Sequence, residues 1–141
     1  MTLQIAPVET THVHVVWPKV AGFIKSAIDK GSSEEFRNYN EHHIQSFLSE
    51  GKWLLLVAID EQNEIHGACT VSFLNHPLHR VAFATTIGGK LISSKETFAQ
   101  LKVICKHYGA TKIQGYGRES IVKLWKRYDF EPVSTLVEVK I

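Results

Sequence analysis

The sequence predicts a single α/β domain with a mixed sheet: two helices, then antiparallel hairpins, then a strand–helix–strand crossover and a closing strand. Three observations predict it. Two helix-period segments closed by Gly31 and Gly51 precede any strong strand. Three apolar runs joined by short polar turns follow, and a capped helix then lies between two further strand-like runs. No internal repeat, low-complexity tract or Pro/Gly/Ser linker divides the 141 residues, so one domain over 1–141 is expected.

Residues 13–30 place Val16, Val20, Phe23, Ile24, Ala27 and Ile28 at helical spacing, with Pro18 tolerated near the start and Gly31 as C-cap. Ser32 and Glu35 read as a capping box opening a second helix to about residue 50, with Phe36, Tyr39, His43, Phe47 and Leu48 on related faces. Residues 53–59 form the first predicted strand, and the turn Asp60-Glu61-Gln62-Asn63 returns the chain into a second over 65–74. A loop through His76 and His79 leads to a third strand over 80–87. A helix over 94–108 follows a Gly-Gly loop, with Ser93 and Glu96 as its expected capping box. A short strand over 111–116, a short helix over 119–128 and a final alternating strand over 133–141 complete the order.

Hydrophobic residues make up 44% and charged residues 21%, the mixture of a folded globular chain rather than a disordered one. A formal charge of +2 without a clustered basic stripe argues against nucleic acid as partner. No apolar run reaches the roughly 18 residues a bilayer demands, and the amino terminus lacks a basic start before an apolar block, so neither membrane nor secretory targeting is expected. Cys69 and Cys105 stand far apart in apolar contexts, as reduced core thiols do; a cytoplasmic protein fits.

The element order, with two local sequences, resembles the GNAT N-acetyltransferase superfamily. The hairpin Leu55-Val57-Ala58-Asp60 with Glu64-Ile65-His66-Gly67-Ala68 is similar to the family's hydrophobic strand, short turn and x-I-V-G return. Leu124-Trp125-Lys126-Arg127-Tyr128-Asp129-Phe130 falls where members carry Leu-Tyr-x-x-x-Gly-Phe. The resemblance covers about residues 10–141, and within the superfamily it is nearest to small divergent GNAT-like proteins of tailed phages, some of them virion components. It implies acetyl-CoA as cofactor, bound beside a splayed central strand with its pyrophosphate on backbone N–H groups of a Gln/Arg-x-x-Gly-x-Gly/Ala loop. It also implies a tyrosine that protonates the departing thiolate.

Carried onto this chain, the cofactor loop is Thr86-Ile87-Gly88-Gly89-Lys90, preceded by Thr85 where the family has Gln or Arg, with Lys90 where it has a small residue. Gly88 and Gly89 permit close backbone approach, and Lys90 supplies a charge for a phosphate. Trp125 fills the usual tyrosine slot, which leaves Tyr128, one turn on, as the candidate acid. Arg118 replaces the family's Asn and is a further candidate for an acidic group; Asp129 replaces its Gly, a mild change because Asp tolerates the left-handed conformation. The third strand offers no Asp or Glu as base, so acceptor activation would fall to a water held by Thr85 or Thr86.

His42-His43 and His76/His79 lack a completing Cys or carboxylate, so no metal site is expected. Cys105 and His107, two apart on a helix, point away from each other, and Cys69 shares a strand face with Gly67 and Val71, so no Cys/His nucleophile forms. An antiparallel α+β binding domain unrelated to GNAT would explain the elements but not the late strand–helix–strand order, and within the resemblance two functions remain. One is an acyl-CoA-dependent N-acyltransferase with a degenerate active site. The other is a non-catalytic GNAT-like binding or structural protein with a protein partner, phage-encoded and acting in the host cytoplasm or virion; under either, the final strand reads as a plain sheet strand or as a pairing edge for a second copy or another protein.

Overall fold

The computed structural model of the chain describes residues 2–30, 38–117 and 119–141. Five strands form one sheet in the order β1-β2-β3-β4-β5: Gln4–Val8, Trp53–Ile59, Ile65–Asn75, Arg80–Gly89 and Lys112–Gln114. The first three neighbouring pairs are antiparallel and β4–β5 is parallel, as the crossover through the intervening helix requires. Helices α1 (Val13–Lys30) and α2 (Glu41–Ser49) cover one face and α3 (Lys95–His107) the other. A short α4 (Glu119–Trp125) runs into a 3-10 turn at Lys126–Tyr128.

Strand alternation divides the core in two. Leu55, Val57 and Ala68 turn toward Val13, Val20, Ile24, Ile44 and Leu48 of the first two helices. Leu56, Ala58, Cys69, Val71 and Ala82 turn toward Phe98, Leu101 and Cys105 of α3. Val20 and Ile24, wholly enclosed, each contribute about 1.5–3 kcal/mol of apolar burial and hold α1 against the sheet.

The expected α/β order is present, with four differences. Gln4–Val8 is an added edge strand, paired with β2 from Gln4↔Ile59 to Val8↔Leu55; Pro7 masks it in the sequence, and an edge is where proline is tolerated. Helix α2 opens at Asn40 rather than Ser32: the Asn40 side chain accepts from the His42 and His43 N–H groups, and His43 Nδ1 accepts from Asn40 N–H. Gly31 and the Ser32/Glu35 capping box lie outside the described residues. The cap of α3 is Ser94 with Thr97, one residue beyond the expected Ser93 and Glu96. Residues 133–141 form no strand and are exposed throughout, because alternation prepares a segment for pairing but supplies no neighbour to pair with. Among the described residues no helix is long and apolar enough to cross a membrane.

Candidate functional site

The sheet opens where β4 outruns β5. β4 is paired with β3 along its whole length, but with β5 only from Val81↔Lys112 to Phe83↔Gln114. Residues 84–89 therefore present a backbone edge that no described strand covers. The chain leaving β5 stays near the start of that edge. A Cβ on Gly115 would stand 3.5 Å from the Ala84 carbonyl oxygen and 3.6 Å from Trp125, and the Tyr116 ring meets Phe83 edge-on at 5.3 Å. The result is a wedge between β4 and the 115–117 segment.

A bulge in β4 lies beside the wedge. Thr86 is opposite Thr70 and Ala84 opposite Val71, so Thr85 is an extra residue. Both Thr85 and Thr86 consequently turn to Thr70, whose Oγ1 lies 2.7 Å from Thr85 Oγ1 and 2.6 Å from Thr86 Oγ1. Thr85 Oγ1 also donates to the Thr70 carbonyl at 2.9 Å. Protons ordered Thr86 to Thr70 to Thr85 to that carbonyl satisfy all three buried hydroxyls. Neither threonine is turned outward to hold an activating water, the role the sequence suggested; the bulge commits both to the interior.

The two glycines are explained by packing. A Cβ on Gly88 would lie 2.2 Å from the Phe23 carbonyl oxygen, so this glycine lets α1 rest directly on β4. Gly89 has φ +68 and abuts His66 and Phe23, and Lys90 N–H donates to the His66 carbonyl at 2.9 Å. Ile87 packs on the α3-side core, while the Lys90 side chain is exposed. Helix α3 begins only at Lys95, after its cap, leaving a link over 90–94 between the glycines and its first turn.

Tyr128 stands on the opposite face of the sheet from Gly88. Its ring is half-buried 5.1 Å from Phe98 of α3, at the side of a groove of about 560 Å³. Trp125 packs on Phe130 at 5.3 Å, and Asp129 adopts φ +68, the left-handed conformation expected of it. Arg118 lies outside the described residues. The sequence candidates are thus divided: Gly88 and Gly89 abut α1 and β3, whereas Ile87 and Tyr128 pack on the α3-side core.

One polar pair escaped the sequence reading. His66 Nε2 and Asp60 Oδ2 are 2.8 Å apart across the β2–β3 turn, and Asp60 Oδ1 accepts from the Gln62 and Glu64 N–H groups. The hydrogen bond from His66, followed by those backbone donors, holds the Asp60 carboxyl below its ordinary range. Because the His66 carbonyl binds Lys90 N–H, the pair sits at the same end of the sheet as Gly88 and Gly89. An imidazole oriented by a carboxylate can relay protons. The only sequence signal was an Asp and a His six positions apart across a hairpin turn. Cys69 and Cys105 are buried; burial pushes the Cys69 thiol far up and that of Cys105 up to about 11, so both are inert as nucleophiles at neutral pH.

The same fold occurs in solved acetyltransferases. An aminoglycoside acetyltransferase from an uncultured soil metagenomic sample superimposes with a TM-score of 0.67 at 14% identity, covering 100% of this chain and 99% of that one. A ribosomal-protein-alanine N-acetyltransferase from Brucella melitensis biovar Abortus 2308 gives 0.65 at 14% identity, covering 99% of each chain. A predicted acetyltransferase with acetyl-CoA from Clostridium acetobutylicum gives 0.63 at 13% identity, covering 99% of this chain and 96% of that one. No protein-family model matches the sequence, and no curated protein matches it. At these identities the likeness establishes the GNAT acetyltransferase fold.

Proposed function

We propose that this GNAT-fold chain binds an acyl-coenzyme A along the open edge of β4 and transfers its acyl group to an amine. The observation that supports this most directly is the wedge: β4 continues through 84–89 after its pairing with β5 has stopped at Phe83. The wedge suits an extended amide-bearing arm, because Gly115 adds no side chain at the point where Ala84 and Trp125 approach it. In this reading the backbone of Thr86, Ile87, Gly88 and Gly89 continues the edge, and Lys90 with Arg118 supplies positive charge for the phosphates. A bound acyl-CoA would supply an activated thioester carbonyl. Tyr128 would then hold a proton at Oη for the departing sulfur.

A second reading has its own support. Lys90 N–H is committed to His66, the faces of Gly88 and Gly89 are filled by α1 and β3, and Trp125 occupies the usual acid slot. A domain so arranged keeps the fold and works through its surface, as a binding or structural protein like the small phage GNAT-like proteins that the sequence resembles.

Titrating acetyl-CoA and CoA while following thermal unfolding separates the two. Ligand at 100 times its Kd stabilises a folded state by about 2.7 kcal/mol, a rise of roughly 5–10 °C for a chain of this size. The first reading expects a saturable rise that Lys90→Glu diminishes, the Lys90 side chain being exposed and outside the core. No rise at millimolar ligand refutes it and leaves the second.

A further inference from the structure

The groove of about 560 Å³ between α3, β5 and residues 128–130 has the size that holds a small organic molecule. Its floor is apolar. Phe98 comes from α3, Ile113 from β5, and the rings of Tyr128 and Phe130 lie 5.1 and 5.5 Å from that of Phe98. Its rim is cationic. Phe98, Lys102, Cys105 and Lys106 recur at helical spacing, so one face of α3 carries part of the floor and two ammonium groups. Lys112, the first residue of β5, supplies a third. Lys102 Nζ stands 5.1 Å from the centre of the Phe98 ring, over the floor itself. Among the described residues none of these three lysines has a carboxylate within 4.0 Å. Asp129 is the single carboxylate of the lining, so the rim keeps an excess of positive charge. The surrounding chain deepens that excess: residues 90–141 hold ten Lys and Arg against five Asp and Glu, whereas residues 1–89 hold six against nine. Residues 133–141 are exposed and line no part of the groove.

We propose that this groove binds a small amphipathic acid, an aryl or alkyl body carrying one carboxylate. Each half of that description answers a feature of the lining. The aromatic and aliphatic floor gains by covering itself with a body that water excludes. The rim gains from an anion, because ammonium groups gathered around one cavity without a counter-charge repel one another. Lysines suit a lone carboxylate, each presenting a compact charge on a long stem that can swing over the edge of the body. A second charge on the ligand would meet Asp129 at the same rim, which favours a monoacid over a polyanion. The groove is separate from the open edge of β4. Trp125 stands between them, 3.6 Å from a Cβ built on Gly115 and with its ring 5.3 Å from that of Phe130. Binding here is therefore independent of whether the wedge holds a cofactor, although the Tyr128 ring forms part of the floor in either case.

The test is titration of the full chain with 2-naphthoate, its neutral isostere 2-naphthamide, and a hexaglutamate peptide, followed by backbone amide NMR shifts. The expected result is saturable naphthoate binding with a Kd of about 0.05–1 mM, the range a ligand of this size reaches. The amides that move should be those of 98–106, 112–113 and 128–130, and naphthamide should bind about tenfold more weakly. Lys102→Gln with Lys106→Gln should raise the naphthoate Kd about fivefold and leave that of naphthamide unchanged, a difference that general damage to the groove would not produce. Both lysines are exposed, so the double variant keeps the core intact. The proposal is overturned by an absence of saturable shifts up to about 10 mM naphthoate. It is equally overturned if naphthamide binds as tightly as naphthoate, if the shifts fall on 84–89 and not on the groove, or if the variant weakens both ligands alike. Tighter binding of hexaglutamate than of naphthoate overturns it in favour of an acidic peptide.

Discussion

Substituting Gly88 by alanine tests how α1 is seated. The new methyl carbon would fall 2.2 Å from the Phe23 carbonyl oxygen, 2.8 Å from its carbonyl carbon and 3.2 Å from its Cβ. An unstrained contact needs about 3.5 Å, so α1 must retreat from β4 by more than about 1 Å. The neighbouring contacts are those of Val20 and Ile24, both fully enclosed, and lifting the helix opens that cluster as well as straining the backbone. Overpacking of this kind costs about 1–3 kcal/mol, and the upper value applies because the obstacle is main chain rather than a side chain that can rotate away. For a chain of 141 residues a 3 kcal/mol loss lowers Tm by roughly 10 °C. Equilibrium unfolding in guanidinium, read by tryptophan fluorescence and by circular dichroism, measures it directly. Gly22→Ala is the internal control: its Cβ meets nothing within 4 Å, and alanine in a helix gains about 0.5–1 kcal/mol over glycine. If Gly88→Ala unfolds within about 0.5 kcal/mol of the parent, α1 does not rest on β4 as described and the packing explanation of the glycine fails. The same geometry makes Gly88→Glu a poor probe of phosphate binding, since it would disturb α1 before any ligand arrived.

Thr70→Val keeps the shape of a buried side chain while removing the hydroxyl that Thr85 and Thr86 share, so the parent should exceed it by about 1–3 kcal/mol in urea unfolding; Thr70→Ser should recover most of the loss. Asp60 has its folded-state carboxyl pKa depressed, so its contribution is present above the ordinary carboxylate range and is lost as pH falls through the lowered value. Stability followed downward from pH 6 should therefore fall less steeply below about pH 4 in Asp60→Asn than in the parent. An unchanged slope would mean that the His66 contact is not made in solution.

Much of the fold was legible because helix and strand periodicities are local properties of the chain. The apolar spacing of Val20, Phe23 and Ile24 marks α1 wherever it packs, and the runs at 53–59 and 65–74 read as a hairpin because only turn-forming residues separate them. Of the four differences, two have equally local reasons. Ser32 and Asn40 both offer capping chemistry ahead of the same apolar residues, and Pro7 conceals a strand that is permitted only because it lies at an edge.

The candidate site was legible only as a set of residue types. Gly88-Gly89 is compatible with a phosphate loop and with close packing of a helix, since both need a missing Cβ; only the arrival of Phe23, some 65 positions earlier, shows that packing by itself already requires Gly88 to lack one. Thr85 and Thr86 read as possible holders of a water, and only the bulge shows both turned onto Thr70; Asp60 met His66 only when the hairpin closed. The sequence by itself determined the elements between residues 13 and 128 to within their boundaries, their order and the mixed α/β class, because these follow from short-range period and turn chemistry. The tertiary structure alone decided where β5 parts from β4, what fills the space beside the glycines, and that residues 133–141 find no partner within the described chain. Each of those depends on contacts between residues distant in sequence, and periodicity carries no information about which surfaces will meet.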